Sequence, residues 1–389
     1  MKMKAAVLWE PKTEWSVEEV ELDPPKAGEV LVELVGSGLC HSDEHLLTGD
    51  LALDEATQQE LGMQQFPVIG GHEGAGTVLE VGEGVFDLKA GDHVVFGFIP
   101  SCGKCPKCST GHQNLCDLGA YLLAGRQVTD FTSRHHAKGQ DLGLMCCIGT
   151  FGEYTVASQA SCIKIEDDIP LDKAALVGCG VTTGWGSAVY AADVQPGETV
   201  VIVGCGGVGM NAVQGASMSG ARHVIAVDPL EFKQEQAQIF GATHSAGSME
   251  EAMSLVGDLT WGAMADKCIL TMGVAQGEYI QPALGLIGKG GRVVQTAIAP
   301  FSVDNVSMNL FELAMYEKQL VGSIFGSANP RRDIPRLLRL YQEGQLKLDE
   351  LITNTYPLED INVGYQAMRD GTNIRGMVMY DHSGNGHTH

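Results

Sequence analysis

The run Gly204-Cys205-Gly206-Gly207-Val208-Gly209 constrains this 389-residue chain more than any other feature. It follows an apolar, β-branched stretch at residues 199–203 and opens a stretch suited to a helix at residues 208–220. A second apolar stretch, residues 223–227, comes next and ends at Asp228, 19 positions beyond Gly209. Strand, helix and strand in that order predict a parallel pair joined by a crossover. Glycines in this setting suit a dinucleotide. Gly204 allows the tight turn, Gly206 lets the backbone approach a pyrophosphate, and Gly209 lets helix and strand pack closely. Gly207 and Val208 begin the helix whose N-terminus faces the anion. Asp228 accepts hydrogen bonds from the adenosine ribose and repels a 2′-phosphate, so NAD is expected rather than NADP. Apolar runs at residues 265–270, 291–297 and 319–324 extend the same sheet. The expected fold class is α/β, with a doubly wound parallel sheet domain of the Rossmann type over residues 181–324.

The preceding 180 residues have a different texture. Short apolar runs at residues 29–35, 76–81 and 91–96 are broken by Gly and Pro, which reads as a β-rich domain. Fifty glycines in the chain demand many such turns. Residues 325–389 return to this first domain, with a helix over 334–341, a closing strand over 375–380 and a loose tail carrying three histidines.

Eleven cysteines, an odd number in a long chain, point to metal or catalytic roles rather than a disulfide framework. Cys102-x2-Cys105-x2-Cys108-x7-Cys116 brings four thiolates into one short lobe, residues 102–116, a spacing that wraps a tetrahedral zinc. The bacterial iron–sulfur run has a shorter last gap and a Pro where Asp117 stands here. Four thiolates leave no open position, so this zinc is expected to be structural, with Lys104 and Lys107 partly offsetting its charge. Against 25 Lys and Arg stand 48 Asp and Glu, a net charge of −23. Such a chain repels a phosphate backbone, and it is not expected to bind nucleic acid or an anionic membrane. No stretch reaches the ~18 apolar residues of a bilayer span. The N-terminus meets Trp9, Glu10 and Pro11 before any signal-peptide core forms, so a cytoplasmic location is expected.

Cys40 in Gly38-Leu39-Cys40-His41-Ser42-Asp43, His72 in Gly70-Gly71-His72-Glu73, and Cys179 in Gly178-Cys179-Gly180 stand out, although each alone is more often packing than chemistry. Together with the four-cysteine lobe and the glycine run, in this order, they make the whole chain resemble the zinc-dependent alcohol dehydrogenases of the medium-chain dehydrogenase/reductase superfamily. The resemblance implies a GroES-like catalytic domain and a catalytic zinc held by Cys40, His72 and Cys179, hence two zinc ions per chain and NAD. It implies that Ser42 takes the alcohol proton and His45 passes it to solvent, that Asp43 orients His72, and that Glu73 lies behind the metal. It assigns Lys233 to the ribose and Arg375 to the pyrophosphate. His41 stands where relatives often carry Arg, a departure that weakens a pyrophosphate contact. A homodimer or homotetramer and a small alcohol or aldehyde substrate follow from the same resemblance.

Two segments depart from the commonest relatives. Residues 51–66 read as an inserted, partly helical loop near the mouth of the site. Residues 126–147 form a long excursion carrying Arg134, His135 and His136. With Cys146-Cys147-Ile148-Gly149-Thr150-Phe151 they are similar to the actinobacterial nicotinoprotein alcohol dehydrogenases, which implies NAD(H) that stays bound and is regenerated by a nitrosoaniline or a second carbonyl compound. Cys146, Cys147, Cys162, Cys205 and Cys268 are expected to pack. The expected reaction is oxidation of primary aliphatic or aromatic alcohols to aldehydes. The alternatives are a thiol-dependent formaldehyde dehydrogenase acting on a hemithioacetal and, in another class, a non-catalytic NAD(H)-binding structural protein.

Overall fold

A computed structural model describes residues 1–60 and 63–383. Residues 61 and 62 of the inserted loop, and the histidine tail beyond residue 383, lie outside the described residues. The chain forms two compact units, Met1–Cys179 with the chain from Asn329 onward, and Gly180–Ala328.

The second unit is built on six parallel strands in the order His244–Ala246, His223–Val227, Thr199–Val203, Ala265–Leu270, Ile287–Gln295, Gln319–Gly322. Strand order reverses beside Thr199–Val203, the first strand in sequence, which makes the end of that strand the place for a ligand in a doubly wound sheet. All five residues of Thr199–Val203 are buried, as a strand covered on both faces requires. The strand expected at residues 291–297 starts earlier, at Ile287, and carries an irregularity opposite residues 265–267. The Gly288-Lys289-Gly290-Gly291 stretch looks like a turn in sequence and hides this start. At the far end, the chain stays in this unit through Ala328. A Cβ on Gly326 would lie 2.5 Å from the Thr183 carbonyl, so this backbone packs directly on the helix Gly180–Gly186.

In the first unit the strand Glu29–Gly38 is the hub. It pairs antiparallel with Gly74–Val81, Tyr154–Ser158 and Arg375–Met379 within a seven-stranded sheet. A second, six-stranded sheet contains Lys2–Leu8 and Ser16–Leu22. The helix anticipated at residues 334–341 runs Pro330–Gln342; the Asn329 side chain caps it by accepting the Arg332 N–H, and Pro330 suits its first turn.

The excursion 126–147 buries its basic centre instead of displaying it. Arg134 is 1% exposed and donates to Glu29 (2.7 Å) and Asp130 (2.8 Å), clamping the excursion to the hub strand. His135 is fully buried, and desolvation pushes its pKa down to about 3, so it is neutral packing. All eleven cysteines are unpaired by disulfides, and Cys146, Cys147, Cys162, Cys205 and Cys268 are buried.

Candidate metal centre and nucleotide loop

Three loops converge in the first unit. Cys40 immediately precedes the helix His41–Thr48, His72 lies between the strands Val68–Ile69 and Gly74–Val81, and Cys179 follows the helix Leu171–Val177. One ligand atom from each of Cys40, His72, Cys179 and Glu73 lies within 4.8 Å of the others, and all four residues are buried. Zinc–sulfur and zinc–nitrogen bonds of about 2.3 and 2.0 Å put tetrahedral ligands roughly 3.5–3.8 Å apart, so the cluster fits such an ion. A hydrogen bond from Cys179, followed by the charges of His72 and Arg375, holds the Cys40 thiol well below its ordinary pKa despite its burial. Burial opposes an imidazolium at His72, yet Asp43 and then Cys40 hold that pKa well above the usual value. Two thiols and an imidazole thus share charge in a water-poor pocket, which a dication resolves.

Asp43 fixes the imidazole. Its Oδ2 lies 3.0 Å from His72 Nδ1, and its Oδ1 accepts the Gly71 N–H at 2.7 Å. With Nδ1 turned to the carboxylate, Nε2 is the nitrogen left for a metal. Behind Cys40 and His72 stand Trp15, Phe151 and Tyr365. Trp15 meets Phe151 edge-on at 5.5 Å and stacks with Tyr365 at 6.1 Å. The Tyr365 hydroxyl donates to the Cys40 carbonyl at 3.5 Å. A Cβ on Gly71 would sit 2.5 Å from the Phe151 ring, so only glycine lets His72 approach.

The remaining residues assigned by resemblance fall around this cluster. Ser42 Oγ is 3.7 Å from Cys40 Sγ. His45, 2% exposed, has Nδ1 3.1 Å from Asp50 Oδ2. His41 is exposed at the start of the helix. Glu73 is fully buried and ion-paired with Arg375, so this guanidinium is held on a carboxylate next to Cys40, His72 and Cys179.

Cys102, Cys105, Cys108 and Cys116 form the second cluster, again with sulfurs within 4.8 Å of one another. The Cys102 and Cys108 sulfurs are 3.9 Å apart, close to the roughly 3.8 Å of two thiolates on one tetrahedral zinc. Backbone N–H groups of Cys105, Cys108 and Cys102 donate to the sulfurs of Cys102, Cys105 and Cys116 at 3.4, 3.4 and 3.5 Å. Backbone donors from Asp117 and Cys108 lower the Cys105 pKa to about 6, whereas burial pushes Cys108 up to about 12 and raises Cys116. A bound dication deprotonates coordinating thiols and removes that conflict.

In the second unit, Gly204 has φ +93°, donates its N–H to the Val227 carbonyl at 2.8 Å, and accepts from the Thr271 hydroxyl at 2.8 Å. Gly209 approaches so closely that a Cβ would lie 1.9 Å from the Gly204 carbonyl oxygen. Gly206, by contrast, faces open space and caps the twelve-residue helix that begins with Gly207, Val208 and Gly209. An open backbone before a helix N-terminus fits a pyrophosphate. Asp228 accepts the Cys205 N–H (2.8 Å) and the Leu230 N–H (3.0 Å), one on each oxygen, which leaves a lone pair on each for a ribose. Lys233 is half-buried on the helix Glu231–Ile239, and its charge acts on Cys205 beside Asp228.

Sequence reasoning did not single out Asp50, Thr271, Trp15 or Tyr365. Asp50 carried a local signal, a carboxylate directly after the helix-ending Gly49. Thr271 carried another, a hydroxyl one step past the strand beside the switch point.

Residues 26–167 match the alcohol dehydrogenase GroES-like domain, and residues 207–343 match the zinc-binding dehydrogenase domain. The chain is 50% identical over 380 residues to the NDMA-dependent alcohol dehydrogenase of Amycolatopsis methanolica, which spans 98% of this chain and 99% of that one. Among solved structures, an alcohol dehydrogenase zinc-binding domain protein from Burkholderia ambifaria is similar with a TM-score of 0.89 at 28% identity, covering 98% of this chain and 100% of that one. Benzyl alcohol dehydrogenase from Acinetobacter calcoaceticus gives 0.85 at 26% identity, with the same coverage. Half of all positions shared with one relative across nearly the full length of both leaves no room for a merely common fold, and the chain belongs to the zinc-dependent medium-chain alcohol dehydrogenases.

Proposed function

We propose that this enzyme oxidises primary alcohols, aliphatic or aromatic, to aldehydes, with an NAD that stays bound and is regenerated by a second acceptor. The observation that carries the proposal is the buried cluster of Cys40, His72 and Cys179 with Asp43 fixing the imidazole. Cys40, His72 and Cys179 would hold one zinc, and Cys102, Cys105, Cys108 and Cys116 a second. When bound, zinc supplies a Lewis acid that lowers the pKa of the substrate hydroxyl, and NAD supplies the hydride acceptor. Ser42, beside Cys40, takes the hydroxyl proton and hands it toward His45. Arg375, steadied by Glu73, presents positive charge for the pyrophosphate, with His41 as its weaker companion. Asp228 and Lys233 hold the ribose, and the Gly204–Gly209 backbone holds the phosphates. Retention of the nucleotide is supported by the likeness to a relative named for its dependence on NDMA.

A homodimer or homotetramer belongs to the same proposal. The strand Gln319–Gly322 ends its sheet, and Leu310, Phe311 and Met315 of the same unit are 63–69% exposed. A second copy covers such a surface. Eleven cysteines outside any disulfide suit a reducing, cytoplasmic setting.

The functional test is turnover of benzyl alcohol and ethanol by purified protein, with added NAD alone and with a nitrosoaniline alone. Aldehyde formed with the nitrosoaniline, without free NADH, is the expected result. Accumulation of free NADH from added NAD would refute retention of the nucleotide. If zinc is present and neither assay responds while a formaldehyde–thiol adduct is oxidised, the hemithioacetal reaction replaces this one.

Asp43→Asn gives a second expectation. The amide cannot keep the imidazole in its metal-binding orientation as a carboxylate does, so affinity at that site should fall about 10- to 100-fold while the four-cysteine site is unchanged. Competition with a colorimetric chelator measures both sites; equal affinities in variant and parent would remove Asp43 from its orienting role.

A further inference from the structure

The inserted segment after Cys40 does more than lengthen a loop. Gly49, with φ +85°, ends the helix His41–Thr48 and turns the chain back on it, so that the Leu51 N–H donates to the His45 carbonyl at 3.1 Å. The turn brings the Asp50 carboxylate under the imidazole of His45, with Oδ2 3.1 Å from Nδ1. The Thr48 hydroxyl donates to that same oxygen at 2.8 Å, which fixes the carboxylate's direction.

Two glutamines hold this turn in place. Gln65, 2% exposed, donates from Nε2 to the Leu51 carbonyl (3.0 Å) and accepts the Leu53 N–H (2.8 Å). Gln58 accepts the Gln65 N–H (3.0 Å) and donates to the Leu53 carbonyl (2.8 Å). A reciprocal staple of this kind, with the Gln65 side chain buried, is what a surface excursion lacks. It fixes residues 50–53 relative to the helix that carries Ser42 and His45.

A carboxylate held against one ring nitrogen decides which nitrogen carries the proton. The hydrogen bond from His45 is the largest cause keeping the Asp50 carboxyl below its usual pKa, with Thr48 and the nearby charge of Lys12 adding to it. Asp50 is therefore an acceptor at neutral pH. The proton of a neutral His45 ring sits on Nδ1, and Nε2 keeps its lone pair.

We propose that Asp50 is a positioning residue for the alcohol's proton: it holds His45 with Nδ1 protonated and Nε2 as the accepting nitrogen, and it stabilises the imidazolium formed when the proton arrives. This rests on the reading of His45 as the outer member of the relay. With bound NAD supplying the hydride acceptor, the hydroxyl proton would leave by way of Ser42, be received on His45 Nε2 and then be released to solvent. Asp50 stays ionised throughout, as the aspartate of a Ser-His-Asp arrangement does.

The test uses the holoenzyme with Asp50→Ala, Asp50→Asn, Asp50→Glu, His45→Gln and the Asp50→Ala/His45→Gln double variant. Asp50→Ala should lower kcat about 10- to 100-fold, the range of a general-base contribution, with little change in KM for the alcohol. Asp50→Asn should fall between Asp50→Ala and the parent, because it keeps an acceptor but not the charge, and Asp50→Glu should recover part of the rate. The double variant should be no slower than His45→Gln, since Asp50 acts only through that ring. Ring 15N spectra, with His45 assigned by its loss in His45→Gln, should show Nδ1–H in the parent and a shift toward Nε2–H in Asp50→Ala. Multiplying losses in the double variant, a fast Asp50→Ala, or an Nε2–H ring in the parent would overturn the proposal. A fast His45→Gln would overturn it as well. If the parent turns over no alcohol, the functional reading fails separately, and the ring spectra still decide whether Asp50 sets the tautomer.

Discussion

Cys40→Ala should abolish alcohol oxidation, lowering kcat/KM by about 10⁴-fold or more, equivalent to roughly 5.5 kcal/mol of transition-state stabilisation. The expectation follows from where the three proposed ligands come from. Cys40, His72 and Cys179 stand on separate loops, and no neighbouring thiol is poised to replace one that is lost: Cys146 is buried and pushed up to a pKa of about 12 by desolvation. Removing Cys40 also removes a charge that helps raise the His72 pKa. The Cys40 side chain is not itself part of the strand pairing around Glu29–Gly38, so the fold should survive. Metal analysis of the purified variant should find one zinc per chain fewer than in the parent, with circular dichroism unchanged. A variant that keeps both metals, or that keeps its rate with one, would dismiss Cys40 as a ligand.

Cys116→Ser should act in the opposite way, on stability first. A closed four-thiolate zinc contributes on the order of 10 kcal/mol to the folding of its own segment. The lobe has little else to hold it: Lys104, Lys107, Ser109, Thr110, Gly111 and His112 are exposed, and its helix, Pro106–Ser109, is a single turn. If only a third of that energy is coupled to unfolding of the whole unit, the melting temperature falls by about 10 °C. Limited trypsin digestion should cut after Lys104 or Lys107 in the variant and not in the parent. Freshly purified variant should retain most of its turnover, because the Cys40 cluster draws no ligand from the lobe. An unchanged melting temperature with two zinc ions bound would rule out a structural metal in the lobe.

These two clusters differ in how far sequence alone reveals them. The four cysteines of the lobe are spaced so closely that any compact path for residues 102–116 gathers them, and the chemistry follows from the spacing. Cys40, His72 and Cys179 are far apart in sequence, and no periodicity links them. What gathers them is pairing of the hub strand with Gly74–Val81 and the packing of Trp15, Phe151 and Tyr365 behind the loops, contacts between residues up to several hundred positions apart. Only resemblance to a known family identified that trio beforehand. The nucleotide loop lies between these cases. Its glycines and Asp228 are local and legible, whereas Thr271, which bonds the Gly204 carbonyl, directly follows a strand placed there by sheet order. Where glycine did double duty, as at residues 288–291, turn chemistry and strand interior look the same in a one-dimensional pattern, and the strand start was misplaced.

The pairing of Arg375–Met379 with Glu29–Gly38 also sets an order of events at birth. A ribosome adding about 5–20 residues per second needs tens of seconds to travel from the hub strand to its last partner. During that interval the second unit, which is continuous in sequence, has everything it needs to fold, and so does the local four-cysteine lobe. The Cys40 cluster must wait, because Arg375, the partner of buried Glu73, is made 302 residues after it. The nascent chain therefore completes its second unit and its four-cysteine lobe before the surroundings of Cys40, His72 and Cys179 are complete. The thiols of Cys40 and Cys179 therefore gain their full buried setting only after Arg375 has been added.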